Sequence, residues 1–555
     1  MTWKNLVQIS LLIFLGVSCY RFLGAGRDDT FIFLWAGETL GQSSWFVNYN
    51  MEIQEIISSY IVPLVIKFLQ PLSHDGIYFT LRISGIVVGM ISLSLLWAFR
   101  DKLFKISPDS ASALVILMSA LSPALQYWSS GGMETPYHVL SYTLLFIAVA
   151  RCQVASPRLS DYLMINAVLL LFLLARVDGF LAIPMLAAFL ILEKSGASLM
   201  RRLSLIVPAA IAFGVLLCIR LYMTGEIWPN TVLAKSPSSI ENYSAGLLYV
   251  FSAYNSSWLA TLQGLSFVIG GVLVFFDYTK SISSGTPLVL PIQFRILVWA
   301  VALQNFFCIL VGGNWMEYYR FWVPTLILQN CLLLYVGQWT FDHFTSYSKS
   351  RRVFASTIVL LTFFAAIEQQ RDIGRNDLWA PNISGQSTPI AIDFLSKSLA
   401  DYGKKTLLLN GSSRRDIDVL LPFIRDYLPR YLRNDRPLRV VSYQAGFFPF
   451  MLRKYYSPQQ VLFYDLVGLA TLEVARLDVP KNFIGAVWGT DMQRVFSGQA
   501  GALSEYVSTI DPDLIYVLGG DPDMKSYFNS IGFQVVYERP QALVLFRASD
   551  RSQGS

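Results

Sequence analysis

The sequence predicts an α-helical membrane bundle of about eleven spans followed by an extracytoplasmic α/β domain. Three observations carry that expectation. The 555-residue chain is 54% hydrophobic and only 14% charged, which excludes an ordinary soluble enzyme. Apolar runs long enough to span fill the first two thirds and stop near Ala366. Beyond Arg371 charge density and turn content return to soluble values, over a stretch the size of one ordinary domain. The expected division is therefore residues 1–370 in the membrane and 371–555 outside it.

The first apolar run, near 6–23, lacks the small-residue cleavage site of a removable signal peptide and reads as a permanent anchor. Lys4 before it places the N-terminus on the cytoplasmic side. Further runs lie near 79–99, 111–128, 137–150, 161–175, 180–192, 203–222, 259–276, 296–311, 321–339 and 353–368. The run 56–72 is the ambiguous one, and loop charge arbitrates. If it lies along the outer surface, within a first outer loop spanning 24–78, then Arg100/Lys102/Lys105, Arg151/Arg158, Lys194/Arg201/Arg202, Lys280/Arg295 and Lys349/Arg351/Arg352 all face the cytoplasm. If it spans, every later loop inverts. We adopt the surface-lying arrangement.

Under that topology each loop of unusual polar composition lies outside, with the C-terminal domain. These loops are Asp28-Asp29, Gly132-Met-Glu134-Thr135, Arg176-Val-Asp178-Gly179, Trp228-Pro-Asn230-Thr231 and the 313–320 stretch Gly-Asn-Trp-Met-Glu-Tyr-Tyr-Arg. Irregular polar backbone at membrane depth is tolerated only where it lines a buried or watery cavity, so the loops are expected to line one. All five cysteines sit in or beside apolar runs, which implies neither a disulfide framework nor a thiolate metal site. The net charge of +6 comes from basic residues clustered in alternate loops and reports topology rather than a nucleic-acid partner.

In the soluble part, strand-like runs at 406–410, 438–443, 461–465, 514–518, 533–537 and 542–546 alternate with helical stretches at 390–402, 417–432 and 524–531. That alternation predicts an α/β domain with a largely parallel sheet. No Gly-rich phosphate loop precedes a helix, which argues against a nucleotide site; a cap over the cavity, or an aid to acceptor binding, is the expected role.

An enzyme facing a compartment without ATP or nucleotide sugars needs an activated substrate delivered by the membrane, and a polyprenyl-phosphate sugar meets that need. Its transfer requires a base for the acceptor hydroxyl and cationic or hydrogen-bonding groups for the departing phosphate. Asp28 and Asp29 are the candidate bases, Asp28 first, since adjacent carboxylates raise each other's proton affinity. Arg320 and Arg176 are candidate phosphate partners, with Lys235 a weaker one. Trp228, Trp315, Tyr318 and Tyr319 are candidates to stack on a sugar or to mark the membrane interface. Plainer roles compete: Asp28 as the N-cap of a helix starting near Phe31, Arg176–Asp178 as a local ion pair, Glu134-Thr135 as a helix start. His74, His138 and His343 are too scattered for a metal site. A divalent cation (Mg, Mn or Ca) on Asp28, Asp29 and Glu134 is the one cofactor the residues suggest.

Five elements in order then resemble the C-type (GT-C) superfamily of membrane glycosyltransferases, and within it the bacterial group of AftB-type arabinofuranosyltransferases. They are Asp28-Asp29-Thr-Phe-Ile after the first span, Gly132-Met-Glu134-Thr135-Pro136, Arg176-Val-Asp178-Gly179, Trp228-Pro-Asn230-Thr231 and Gly312-Gly-Asn314-Trp315-Met316…Tyr319-Arg320-Phe321. Asn314 stands where the family has an acid, and Gln444 likewise in Tyr443-Gln444-Ala-Gly446. Asp465-Leu-Val-Gly468-Leu469 is similar to a further family element, and Glu55, Ser58 and Ser59 carry over from the first outer loop.

The resemblance implies an inverting transfer of a monosaccharide, arabinofuranose in the group it is most like, from a polyprenyl-phosphate donor to an extracytoplasmic glycan, lipid or protein, in a bacterial cytoplasmic membrane. Asp28 and Asp29 would be catalytic. Arg320, Arg176, Asp178, Glu134, Asn230, Lys235, Asn314, Trp315 and Tyr319 would hold the donor. The competing classes are a transporter or flippase of a lipid-linked saccharide and a non-enzymatic envelope-assembly protein. Against a transporter, the sequence has no internal repeat and no acid at mid-span.

Overall fold

The structure, a computed structural model, describes residues 3–20, 28–72, 77–104, 107–152, 154, 156–193, 198–235, 240–313, 316–344, 420–477, 492–518, 522–539 and 542–547. The expected span 353–368, the strand 406–410, the helix 390–402 and the basic residues Lys194, Lys349, Arg351 and Arg352 fall outside the described residues. The chain divides into two compact units: residues 1–22, 79–216 and 243–405 form the first, and residues 23–78, 217–242 and 406–555 the second.

The first unit is helical, and the protein is a membrane protein. Among the described residues four helices are long and apolar enough to cross a bilayer: Ile77–Ala98, Leu199–Thr224, Trp258–Ser284 and Ile292–Leu310. A fifth crossing is counted if Pro108–Ala120 and Pro123–Ser129 form one span, but they bend by 69° where an unbroken span 111–128 was expected. Pro123 explains the break, since it has no N–H for the helix ladder and clashes with the turn before it. Other expected spans are shorter apolar helices, among them Leu159–Ala175 and Val177–Leu192. On Trp258–Ser284 the apolar side chains Val268, Val272, Phe275 and Phe276 are exposed, as on a face built for hydrocarbon.

Polar side chains tie the helices together inside the unit, where an unmet donor would be costly. Tyr142 donates to Gln304 (2.8 Å), Gln263 to Asn330 (2.6 Å) and Asn330 to Ser119 (3.0 Å). Arg295 is not a loop charge, as the topology argument assumed. It sits in Ile292–Leu310, 4% exposed, paired with Glu193 at 2.5 Å. All five cysteines are free thiols.

Among the described residues the second unit contains a five-stranded sheet of β1 (Leu438–Ser442), β2 (Val461–Asp465), β3 (Leu514–Leu518), β4 (Phe533–Arg539) and β5 (Ala542–Arg547), in the order β2-β1-β3-β5-β4. β1 pairs in parallel with β2 and β3, whereas β5 is antiparallel to both β3 and β4. Among the described residues the sheet is thus half parallel rather than largely so. The reason is local: only two residues separate β4 from β5, and so short a connection can join only antiparallel strands. Helices Phe447–Tyr455, Ala502–Ile510 and Pro522–Ser530 accompany the strands, and Phe448 packs on Tyr516 with ring centroids 4.4 Å apart. The expected helix at 417–432 is, from 420 on, a short turn of α-helix, a π-turn Phe423–Tyr427 and a 3₁₀ turn Leu428–Tyr431, broken up by Pro422 and Pro429.

The ambiguous run 56–72 contains a nine-residue helix, Ile61–Leu69, and a 3₁₀ turn Gln70–Leu72. At about 1.5 Å per residue such a helix is far too short to cross a bilayer core. Val62, Pro63 and Ile66 are buried while Leu64 and Phe68 stand exposed.

Candidate functional site

Three of the polar sequence elements in the first unit, those carrying Glu134, Arg176–Asp178 and Arg320, meet in a buried ion network. Glu134 is the residue before Thr135–Arg151, where Pro136 starts the helix. Its side chain makes no capping hydrogen bond. Instead Glu134 Oε1 accepts from Arg176 at 2.5 Å and also from Arg320. Arg176 donates in turn to Asp178 at 2.7 Å, so the local ion pair considered from the sequence exists but is half of a larger set. Two guanidiniums and two carboxylates balance in charge, and all four side chains are buried.

Local backbone explains the placement. The turn after Leu159–Ala175 needs Gly179, because a Cβ there would lie 2.0 Å from the Phe172 carbonyl oxygen. The Met316–Arg320 segment contains two successive left-handed residues, Tyr318 and Tyr319, each at φ 50°. Non-glycine residues rarely sit there, at a cost of about 1–3 kcal/mol each, and such strain concentrates at functional segments. The turn is pinned by Phe321, whose N–H donates to the Tyr249 hydroxyl (3.1 Å) and whose carbonyl accepts from Gln304. Aromatic faces finish the pocket for charge: Phe321 lies 4.5 Å from the Arg176 guanidinium carbon and Trp128 5.4 Å from that of Arg320. Glu134 Oε2, Thr135 Oγ1 and His138 Nδ1 are buried without a hydrogen-bond partner among the described residues. Asn314 and Trp315 fall outside those residues.

In the second unit the structure shows what Asp28 does. The helix it precedes, Asp29–Thr39, starts two residues before Phe31, and the Asp28 side chain does not cap it. Its two oxygens accept instead from the backbone N–H groups of Phe447 (Oδ1, 2.6 Å) and Gly446 (Oδ2, 3.2 Å), at the start of Phe447–Tyr455. A carboxylate at a helix N-terminus meets both unpaired amides and the positive end of the dipole. Gly446 is required for this approach, since a Cβ would lie 2.1 Å from the Asp28 carbonyl oxygen. Asp29 is the first residue of its helix and half-buried.

The two family-like elements of the soluble part follow adjacent parallel strands, with Ser442 opposite Asp465 in register. Asp465 is fully buried and accepts from the N–H groups of Val467 (2.9 Å), Leu469 (2.6 Å) and Ala470 (2.9 Å). Burial pushes its carboxyl up to about 6, against the lowering pull of those backbone donors. Tyr49, also buried, donates to the Gly446 carbonyl at 3.4 Å; burial, then the charges of Asp28 and Asp465, hold its phenol well above the ordinary value.

Asn230 is buried and spoken for: its side chain donates to Gln54 (3.2 Å) and its N–H to the Glu55 carbonyl (3.0 Å). Lys235 is half-buried just past the short helix Asn230–Leu233. Two arginines went unnoticed in the sequence. Arg220 is bound by Glu55 (2.9 Å) and Tyr60 (2.8 Å), and Arg82 donates to the Ser130 carbonyl (2.6 Å). The signal was there, since both stand inside apolar runs where a cation is expensive. Among the described residues no group of three or more His, Cys, Asp or Glu gathers to hold a metal ion, so none is seen for the cation suggested on Asp28, Asp29 and Glu134.

No family model matches the chain, and no curated protein matches it by sequence. Solved structures do match in fold. ArnT from Cupriavidus metallidurans bound to undecaprenyl phosphate superposes with a TM-score of 0.52 at 13% identity, covering 100% of both chains. The archaeal oligosaccharyltransferase AglB from Archaeoglobus fulgidus, in complex with an inhibitory peptide and a dolichol-phosphate, also gives 0.52 at 9% identity, covering 93% of this chain and 70% of that one. The chain therefore has a GT-C-like fold, a helical N-terminal region with a C-terminal sheet domain.

Proposed function

We propose that the chain is an inverting glycosyltransferase of a bacterial cytoplasmic membrane that moves a monosaccharide, arabinofuranose by the motif resemblance, from a polyprenyl-phosphate donor to an acceptor on the extracytoplasmic side. The observation that carries the reading is the full-length fold match to a structure bound to undecaprenyl phosphate. The match to a structure holding dolichol-phosphate supports the same donor chemistry.

In the proposed step the acceptor hydroxyl oxygen forms a bond to the anomeric carbon, the bond from that carbon to the phosphate oxygen breaks, and the lipid phosphate leaves with the electron pair. The hydroxyl proton goes to a carboxylate. Asp29 takes that role in preference to Asp28, because both Asp28 oxygens already accept backbone N–H groups; only the Asp28 carbonyl serves the helix that carries Asp29, accepting from the Phe31 N–H at 3.0 Å. Arg320 and Arg176 meet the charge of the departing phosphate. Both are paired with Glu134, so phosphate must share or displace that carboxylate, which makes Glu134 a gauge of how firmly the donor is held.

The test uses purified protein with synthetic polyprenyl-phosphate arabinofuranose and hexose donors. Turnover is expected with one donor, and Asp29→Asn should lower it by about 10²-fold or more, the typical worth of a positioned base. Turnover with none of the donors, or an unimpaired Asp29→Asn variant, would sink the proposal.

A further inference from the structure

A cleft of about 250 Å³ opens in the second unit between the edge strand β2, the Ala502–Ile510 helix and the first-loop turn 48–52. Its working groups are Glu52, Tyr464, Glu473, Tyr506 and Thr509. We infer that this cleft is a saccharide subsite, holding one hydroxyl-rich sugar residue of the acceptor between the two tyrosines and the two glutamates. The inference rests on the transferase reading for its biological meaning and deepens it by naming where the acceptor is gripped.

The turn that forms one wall is built to hold still. Asn48 Oδ1 accepts from the N–H groups of Asn50 (2.9 Å) and Glu52 (3.0 Å), and its amide donates to Glu52 Oε2 at 2.6 Å. Asn50 docks the turn on the sheet by imitating a strand: its amide donates to the Phe463 carbonyl and accepts from the Phe463 N–H, both at 2.9 Å. An exposed sheet edge is thereby covered, and Glu52 is fixed beside β2. Such pre-organisation is what a weak polar ligand requires.

The cleft groups are complementary to sugar chemistry. Tyr464, Tyr506 and the Glu473 carboxylate make no side-chain hydrogen bond among the described residues, so their polar ends are available to a ligand. Burial, then Glu473, Tyr464 and Glu52, push the Tyr506 phenol well above its ordinary value, so it remains a donor. Two phenolic donors and two carboxylate acceptors lining one cleft match sugar hydroxyls, which both give and accept. The tyrosine faces offer apolar surface to the C–H side of a ring. Two carboxylates repel a phosphate or a nucleotide, and two are too few to gather a metal site here. The volume lies just under the ~300 Å³ at which drug-sized pockets begin, which suits one sugar ring rather than a chain.

Full-length protein in detergent micelles would be probed by saturation-transfer NMR with methyl glycosides of arabinofuranose, mannose, galactose and glucosamine. At least one glycoside should receive saturation, and its affinity should fall by at least about five-fold in the double variant Tyr506→Phe/Glu473→Gln, the worth of about one lost hydrogen bond. Glu505→Gln, on the same helix but outside the cleft, should leave binding unchanged. No saturation of any glycoside, or equal binding by the double variant, overturns the inference. Glycoside binding without transfer from any lipid donor would leave the cleft standing and remove the transferase reading. Transfer with an unaffected double variant would do the reverse.

Discussion

Glu134 in the helical unit and Asp465 in the sheet unit are both fully buried carboxylates, yet opposite kinds of chemistry hold them. Glu134 is balanced by full positive charges, the guanidiniums of Arg176 and Arg320. Asp465 is balanced by partial charges only, the N–H groups of its own following loop. A site balanced by ions is sensitive to losing a partner, because the remaining charges stay buried. One balanced by backbone dipoles cannot lose a partner by mutation elsewhere, and pH becomes its weak point.

The largest effect is expected from Glu134→Ala, which removes the carboxylate shared by two buried arginines and should cost about 3–5 kcal/mol of stability. Thermal unfolding in detergent would show it, and a loss below about 1 kcal/mol would mean that the network is not the keystone of its unit. The Asp465 contrast is a pH profile. Because its folded value of about 6 lies above the ordinary carboxylate range, the folded protein keeps this proton over roughly pH 4–6 while the unfolded chain has released it. Its contribution to stability is therefore fully present below about pH 4 and falls as pH rises through 6, by about 3 kcal/mol at most. The unfolding midpoint of wild type relative to Asp465→Asn should drop over that window; a difference independent of pH would contradict the assignment.

A third, smaller effect tests how closely Asp28 is held. Gly446→Ala places a methyl group against the Asp28 backbone and should cost about 1–3 kcal/mol as the contact is forced apart, with transfer activity falling alongside stability. Arg320→Lys would leave transfer at wild-type level only if no planar fork of donors is needed there. Smallest of all should be Lys454→Ala, since the Lys454–Glu38 pair at 2.6 Å is solvent-exposed; less than about 1 kcal/mol is expected.

What could be read from the sequence followed from composition and local pattern. Apolar length located the four helices that are long and apolar enough to span, among the described residues, rather than about eleven, and five of the six strand-like runs are strands. The sixth falls outside the described residues. The Pro-induced bend at Pro123 was also locally encoded but was overlooked, because the apolar run continues through it. The site was legible only as residue types. Nothing near Glu134 in sequence announces Arg176 or Arg320, which lie 42 and 186 positions away. For Asp28, capping of a helix N-terminus was the right idea applied to the wrong helix, because the amides it serves are 418 residues further on. Arg82 and Arg220 could have been found by asking why a cation interrupts an apolar run.

That last separation has a consequence for how the protein is made. Chains grow at about 5–20 residues per second, so Asp28 leaves the ribosome roughly 20–80 seconds before the amides of Gly446 and Phe447 exist. The same wait applies to Tyr49, Asn50 and Gln54, whose partners Gly446, Phe463 and Leu472 come just as late. Through that interval these side chains are without the partners they have in the folded protein. A chain ending before residue 446 would lack the partners of Asp28, Tyr49, Asn50 and Gln54 altogether.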